Sequence, residues 1–178
     1  MRRALLILTS AALIAGCGGG KDRLTTSLPQ VTAHLRVSSP AFASGARLRR
    51  RYTCDGAGAE PVVRVGSVPA NARELVLVVS DPDAPKGTFV HVTRYGLSPR
   101  DGAVSSGGAE GANSSGEAGW TPPCPPPGDN PHHYVWTVFA LRDKTGLKAG
   151  ADPNAVITAL SDGALASGAI TATYSRQG

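Results

Sequence analysis

A chain of 178 residues suits one domain with a single good core once any leader is set aside. Aromatic residues make up only 5% of it while Gly (22) and Pro (14) are plentiful, which argues against long helices and for short strands joined by many turns. The formal charge of +5 falls to about +3 without Arg2 and Arg3, mildly basic and well short of a nucleic-acid-binding signature, so no nucleic acid partner is expected.

Residues 1–16 read as a secretory leader. Met1-Arg2-Arg3 is a cationic start, and residues 4–15 form an uncharged, largely apolar run. That run is too short for a bilayer core that needs about 20 apolar residues. It ends in "LIAGC" (13–17), which resembles the bacterial lipobox and implies an exported chain anchored to the cell membrane through acylated Cys17. Residues 17–31 then read as a flexible tether and 32–178 as the folded domain. With Cys17 carrying lipid, Cys54 and Cys124 remain as an even pair outside the cytoplasm, either bridged or as two separate buried thiols.

The domain reads as all-β dominated. "HLRVSS" from His34, "RLRRRYT" from Arg47, "ELVLVVS" from Glu74, "TFVHVTRYGL" from Thr88, "HYVWTVFAL" from His133 and "AITATYS" from Ala169 are β-branched or aromatic-rich. Gly, Pro, Asp and Ser clusters separate them, which predicts an antiparallel β-sandwich. The arginines of 47–51 are expected on a solvated strand edge. One or two short helices are expected, the clearest near the C-terminus. There Asp152 can cap, Pro153 suits the first helical position, Val156, Ile157 and Leu160 share a face, and Gly163 ends the run. Residues 98–119 have few apolar side chains and predict a long loop beside a functional site. The loop contains Asn113-Ser114-Ser115, formally a glycosylation sequon.

The sequence has no G-x-S-x-G, H-E-x-x-H, P-loop or C-x-x-C pattern, so neither an enzyme nor a cofactor is expected. Polar chemistry gathers instead in "VSDPDAPKGTFVHVTRY" (79–95) and "GWTPPCPPPGDNPHHYVWTVFAL" (119–141). Residues two apart on a strand share a face, so His132 and Tyr134 point together, and Asp81 and Asp83 do so if the turn between them stays extended. His133 faces away as a surface residue, while Trp136 and Phe139 belong to the packing.

"YTCDG" (52–56), "DPDAP" (81–85), "GTFVH" (87–91), "CPPPG" (124–128) and "HHYVWTVFAL" (132–141) occur in that order. Together they resemble the phosphatidylethanolamine-binding protein family, in its bacterial Raf-kinase-inhibitor-like branch, over residues 37–175. The resemblance implies a β-sandwich with a small polar pocket for phosphate-like, anionic or phospho-headgroup ligands. Carried over by motif, Asp81, Asp83, His91, Pro126, His132 and Tyr134 line it. Some positions depart from the family pattern. "EPVVRV" (60–65) replaces S-P-P-L-S-W, Val92 stands for Trp, His133 for Arg, and Thr121-Pro122 for Gly-Gly.

Two aspartates in an anion pocket need an offset, since like charges about 4 Å apart repel by roughly 4 kcal/mol at an effective dielectric of 20. Either an aspartate protonates His91 or His132 toward the ligand, or it faces the ammonium of an ethanolamine headgroup. Both versions predict binding that weakens as pH rises through the histidine pKa. Two histidines and a carboxylate could also hold a metal, but the resemblance implies none. The rival expectation is a protein-interaction or inhibitor domain, directed at a protease or kinase through the 98–119 loop.

Overall fold

The computed structural model describes residues 27–178. The leader, Cys17 and most of the tether lie outside the described residues. Leu28, assigned to the tether by the sequence, packs against the outer core of the domain.

Among the described residues, eight strands form two antiparallel sheets. β1 (Arg36–Ser38), β2 (Arg64–Gly66) and β5 (Gly102–Ala103) make a small sheet in the order β1-β2-β5. The larger sheet, β6-β4-β3-β7-β8, is built from β3 (Glu74–Asp81), β4 (Phe89–Leu97), β6 (Ala109–Glu110), β7 (His132–Leu141) and β8 (Ala164–Tyr174). Leu75, Leu77 and Val79 of β3 face the small sheet, with Val63 and Val65, in the inter-sheet core. Val76 and Val78 face the other way, onto Val156, Ile157 and Leu160 of α1 (Pro153–Ser161). The predicted sandwich and C-terminal helix are both present. Asp152 caps α1 by accepting from the Asn154 N–H at 2.8 Å, and Pro153 opens it.

Two strand assignments change. "RLRRRYT" forms no strand but a 3-10 turn at Arg50–Tyr52, because Leu48 and Tyr52 bury while the arginines between them stay in solvent. β8 begins five residues before "AITATYS", because "ALASG" lies flat against the segment before β1. A Cβ on Gly168 would strike the Leu35 carbonyl there. In the departure "EPVVRV", Val63 and Val65 enter the core and Glu60 finds a buried partner, Arg94, at 2.5 Å. Burial pushes the Glu60 carboxyl upward against the pull of that guanidinium.

Cys54 and Cys124 are joined across 70 residues of sequence. The bridge ties the turn after Tyr52 to the proline-rich segment before β7. Gly56 completes that turn, where any Cβ would collide with the Arg50 carbonyl. Replacing both cysteines by serine should lower stability by up to about 4 kcal/mol in the chain-entropy picture, read as a lower urea midpoint with an unchanged far-ultraviolet spectrum.

Candidate functional site

Three strand ends converge at one end of the large sheet. β3 finishes at Asp81, and its antiparallel neighbours β4 and β7 start at Phe89 and His132. A bulge aims the histidine between them. Val92 pairs with Val79 and Val90 with Ser80, so His91 is an extra residue with no counterpart on β3. Such a residue reverses the alternation of its strand. Val90 therefore belongs to the outer core and Val92 to the inter-sheet core. The His91 ring comes edge-on to Tyr134 at 5.3 Å and to within 5.9 Å of Trp120, measured between centroids.

Asp81 is buried and used on both oxygens. Its Oδ1 accepts the Asp83 N–H at 2.9 Å, and its Oδ2 accepts from His132 Nδ1 at 2.7 Å. His132 is buried as well, and its Nε2 lies 3.7 Å from Asp129 Oδ2. His91 is held differently. Its Nδ1 donates to the Thr121 carbonyl at 2.6 Å, which fixes the tautomer and leaves Nε2 with the lone pair. That Nε2 is buried and has no hydrogen-bond partner. Burial in turn lowers the His91 pKa from 6.5 to about 4, with the Thr121 carbonyl and Asp81 acting against it and His132 reinforcing it.

Asp81, His91 and His132 wall a cavity of about 220 Å³, together with Phe89, Thr121 and Pro126. Cys124 and further prolines complete the rim. Of the six residues expected at the pocket, four therefore line it. Tyr134 lies beneath the wall. It is fully buried between the two histidine rings, its hydroxyl has no partner, and burial followed by the charges of Asp81 and Asp83 raises its pKa. Asp83 faces outward, because the chain turns at Pro82 and does not stay extended. Its Oδ2 accepts from the His133 backbone N–H and from His133 Nδ1, each at 2.7 Å, beside an adjoining groove. Against desolvation, those two bonds hold the Asp83 carboxyl below its usual range. His133 is exposed and structural, as expected.

The 98–119 loop is fastened to the sheet rather than free. Arg94 binds the Ser105 carbonyl at 2.6 Å and Glu110 at 2.5 Å. Asn113 is buried. Its Oδ1 accepts from Ser115 and Glu117, and its Nδ2 donates to the Gly119 carbonyl and, at 2.7 Å, to Thr121 Oγ1. The formal sequon is thus closed to modification in the folded chain, and Asn113 instead steadies the residue that orients His91. Sequence reasoning missed Thr121, Phe89 and Asn113. The dense Asx and serine turn chemistry of 113–117 was the one available signal.

This is a β-sandwich protein with a small acid–histidine pocket at one sheet end. The family model for phosphatidylethanolamine-binding proteins matches residues 38–175, and the chain belongs to that family. LppC of Mycobacterium tuberculosis, named as a candidate lipoprotein, is 33% identical over 94% of this chain and 92% of its own. A crystal structure of a phosphatidylethanolamine-binding protein homologue from Chlamydia trachomatis aligns with a TM-score of 0.74 at 31% identity, over 82% of this chain and 100% of that one. YbcL of E. coli, described as a member of the mammalian family, aligns at 0.73 with 26% identity, over 82% and 100%. Among the described residues no helix is long and apolar enough to cross a membrane.

The depressed His91 pKa has a consequence for stability. The unfolded chain takes up a proton on this ring below about pH 6.5 and the folded chain does so only near 4. The contribution is therefore complete above the unfolded value and is lost as pH falls through the folded one, by about 3 kcal/mol in total. Urea midpoints measured down that range should drop more steeply for the parent than for His91→Gln.

Proposed function

We propose that the chain is an exported, lipid-anchored binding module whose pocket takes the phosphate-like end of a small ligand, of headgroup size, or the same group on a larger partner. The observation that carries this reading is the unpartnered Nε2 of His91, buried in the wall of a cavity beside the Asp81–His132 pair. A buried nitrogen left without a partner costs free energy that a bound ligand recovers. The cavity of about 220 Å³ is headgroup-sized and too small for a whole lipid. Asp81 and His132 have the geometry of an acid–base pair, yet the one sulfur in the wall, Cys124, is spent in the disulfide and supplies no nucleophile. The anchor rests on the lipobox-like "LIAGC" and on the likeness to LppC. Fastening of the 98–119 loop to β4 favours a supporting role for it over that of a recognition arm.

Calorimetric titration of the full chain carrying Cys17→Ser with phosphoethanolamine should show one saturable site, weakened at least about tenfold, or about 1.4 kcal/mol, in His91→Ala. Absence of binding by the folded protein would refute the pocket reading. Independently, labelled fatty acid fed to cells should be incorporated into the parent and not into Cys17→Ser, which should leave the membrane fraction.

A further inference from the structure

Charge is divided unevenly along the fold. Residues 27–73 contain seven arginines against two acidic residues, whereas residues 74–178 contain seven basic against ten acidic. The two acids of the first part are withdrawn from its surface. Glu60 turns inward onto Arg94, and Asp55 accepts from the Tyr174 hydroxyl at 2.7 Å and from Arg176 at 3.0 Å. Asp101 stands near Arg36 at one corner, with its oxygens accepting the Ser67 and Val68 N–H groups. Among the described residues no carboxylate lies within ion-pair distance of any of the seven arginines.

The fold sorts these arginines onto one side. Leu35, Leu48, Val63 and Val65 point into the inter-sheet core, and the residues beside them, Arg36, Arg47, Arg49 and Arg64, are exposed on the outside. Tyr52 is buried while Arg50 and Arg51 before it stay in solvent. The pieces form one layer. Ser38 pairs with Arg64 across β1 and β2, the Ser39 hydroxyl donates to the Val62 carbonyl at 2.6 Å, and the Ala59 N–H donates to the Arg51 carbonyl at 2.9 Å. Arg47 and Arg51 are steadied over the rings of Tyr174 and Tyr52, at 5.5 and 4.8 Å, which positions their charges without cancelling them. Val62, two residues before Arg64, is the one exposed large apolar side chain among the described residues.

We infer that the outer face of this layer is a docking surface for an anionic lipid bilayer, on which the domain lies with its arginines among the headgroups. Charge complementarity is the first reason. Each basic side chain held near an anionic leaflet strengthens attachment about fivefold, or about 1 kcal/mol. A protein partner fits less well, because a stable protein interface has an apolar centre and Val62 alone does not make one. The tether is the second reason, and here the inference rests on the proposed lipid anchor. Leu28 packs on the outer core and Leu35 in the inter-sheet core, so the chain crosses the β8 edge where the basic layer begins. The ten-residue step from Cys17 to Ser27 spans at most about 35 Å, which keeps the layer within reach of the leaflet that holds the lipid. A basic surface and an acyl chain are independent anchors whose effects combine.

The test sediments residues 17–178 carrying Cys17→Ser, which hold the whole described fold and no lipid, with vesicles of phosphatidylcholine alone or mixed with phosphatidylglycerol. Binding is expected to the mixed vesicles and not to the neutral ones, and should fall away from about 0.05 to 0.5 M salt as screening shortens the reach of the charges. Arg36→Gln, Arg49→Gln and Arg64→Gln together should weaken it about a hundredfold. Lys86→Gln, Lys144→Gln and Lys148→Gln, the same charge change on other faces, should weaken it less than about tenfold. All six side chains are exposed, so both variants should keep the parent's urea midpoint. Equal binding to neutral and mixed vesicles would overturn the inference, as would an equal loss in the two variants, which would assign the effect to net charge rather than to this face. Tighter binding to soluble poly-glutamate than to mixed vesicles of equal charge concentration would overturn it in favour of an acidic polypeptide. Failure of the vesicle experiment leaves the proposed pocket and anchor standing, whereas failure of fatty-acid labelling at Cys17 removes the anchor and leaves vesicle binding by the unlipidated chain to decide the face.

Discussion

The structure depends on the double burial of β3. All eight of its residues are buried, so neither face of this strand can be left to water. One face requires the small sheet and the other requires α1, and the two cores follow from that division. The constraint is harsher at the strand's polar ends, where a buried carboxylate is costly unless its oxygens are bonded. Glu74 is satisfied by the Gly96 N–H and by both the N–H and hydroxyl of Thr145. Asp81 is satisfied by its own turn and by His132. The first acid closes a structural corner, while the second opens onto a cavity. Site and corner are two solutions to one burial problem.

Much of the fold was legible because its long strands alternate or run apolar, as in "ELVLVVS" and "HYVWTVFAL", and because Asp152-Pro153 is strong helix-start chemistry. The short strands were not. β2, β5 and β6 have two or three residues each, and nothing so brief carries a period. "RLRRRYT" misled because β propensity is blind to burial, and here the buried Leu48 and Tyr52 stand four apart around a tight turn. At the site, Asp81, His91, Pro126 and His132 were reachable by motif, and they do line the cavity. Asp83 was not, since its placement turned on whether one proline-flanked peptide stayed extended. The inward aim of His91 was also hidden, because it results from an unpaired residue in the β3–β4 register, and register belongs to two strands at once.

Preorganisation explains why so much hardware lies outside the pocket. Neutral His91 presents a lone pair only while Thr121 holds its other nitrogen. Thr121 in turn is tied by its N–H to the His91 carbonyl and by its hydroxyl to Asn113. Asn113 closes the end of a loop whose middle is fixed by Arg94. From the opposite side, the Cys54–Cys124 bridge holds the proline segment in place, and the Cys54 N–H adds a bond to the Pro123 carbonyl. Rigid parts of this kind spare a small ligand the cost of ordering its own site. The 98–119 loop thus also braces the residue that holds His91.

A carboxylate in a pocket proposed to take a phosphate-like group looks like a defect if affinity is the only aim. At about 4 Å and an effective dielectric of 20 it costs a bound charge roughly 4 kcal/mol. Specificity changes that judgement, since a site discriminates by what it repels as much as by what it attracts. Arginine at the same position would hold any oxyanion, sulfate and phosphate alike, through a fork indifferent to protonation. The burial of β3 and the bulge at His91 thus bring one carboxylate and two imidazoles to the same small cavity.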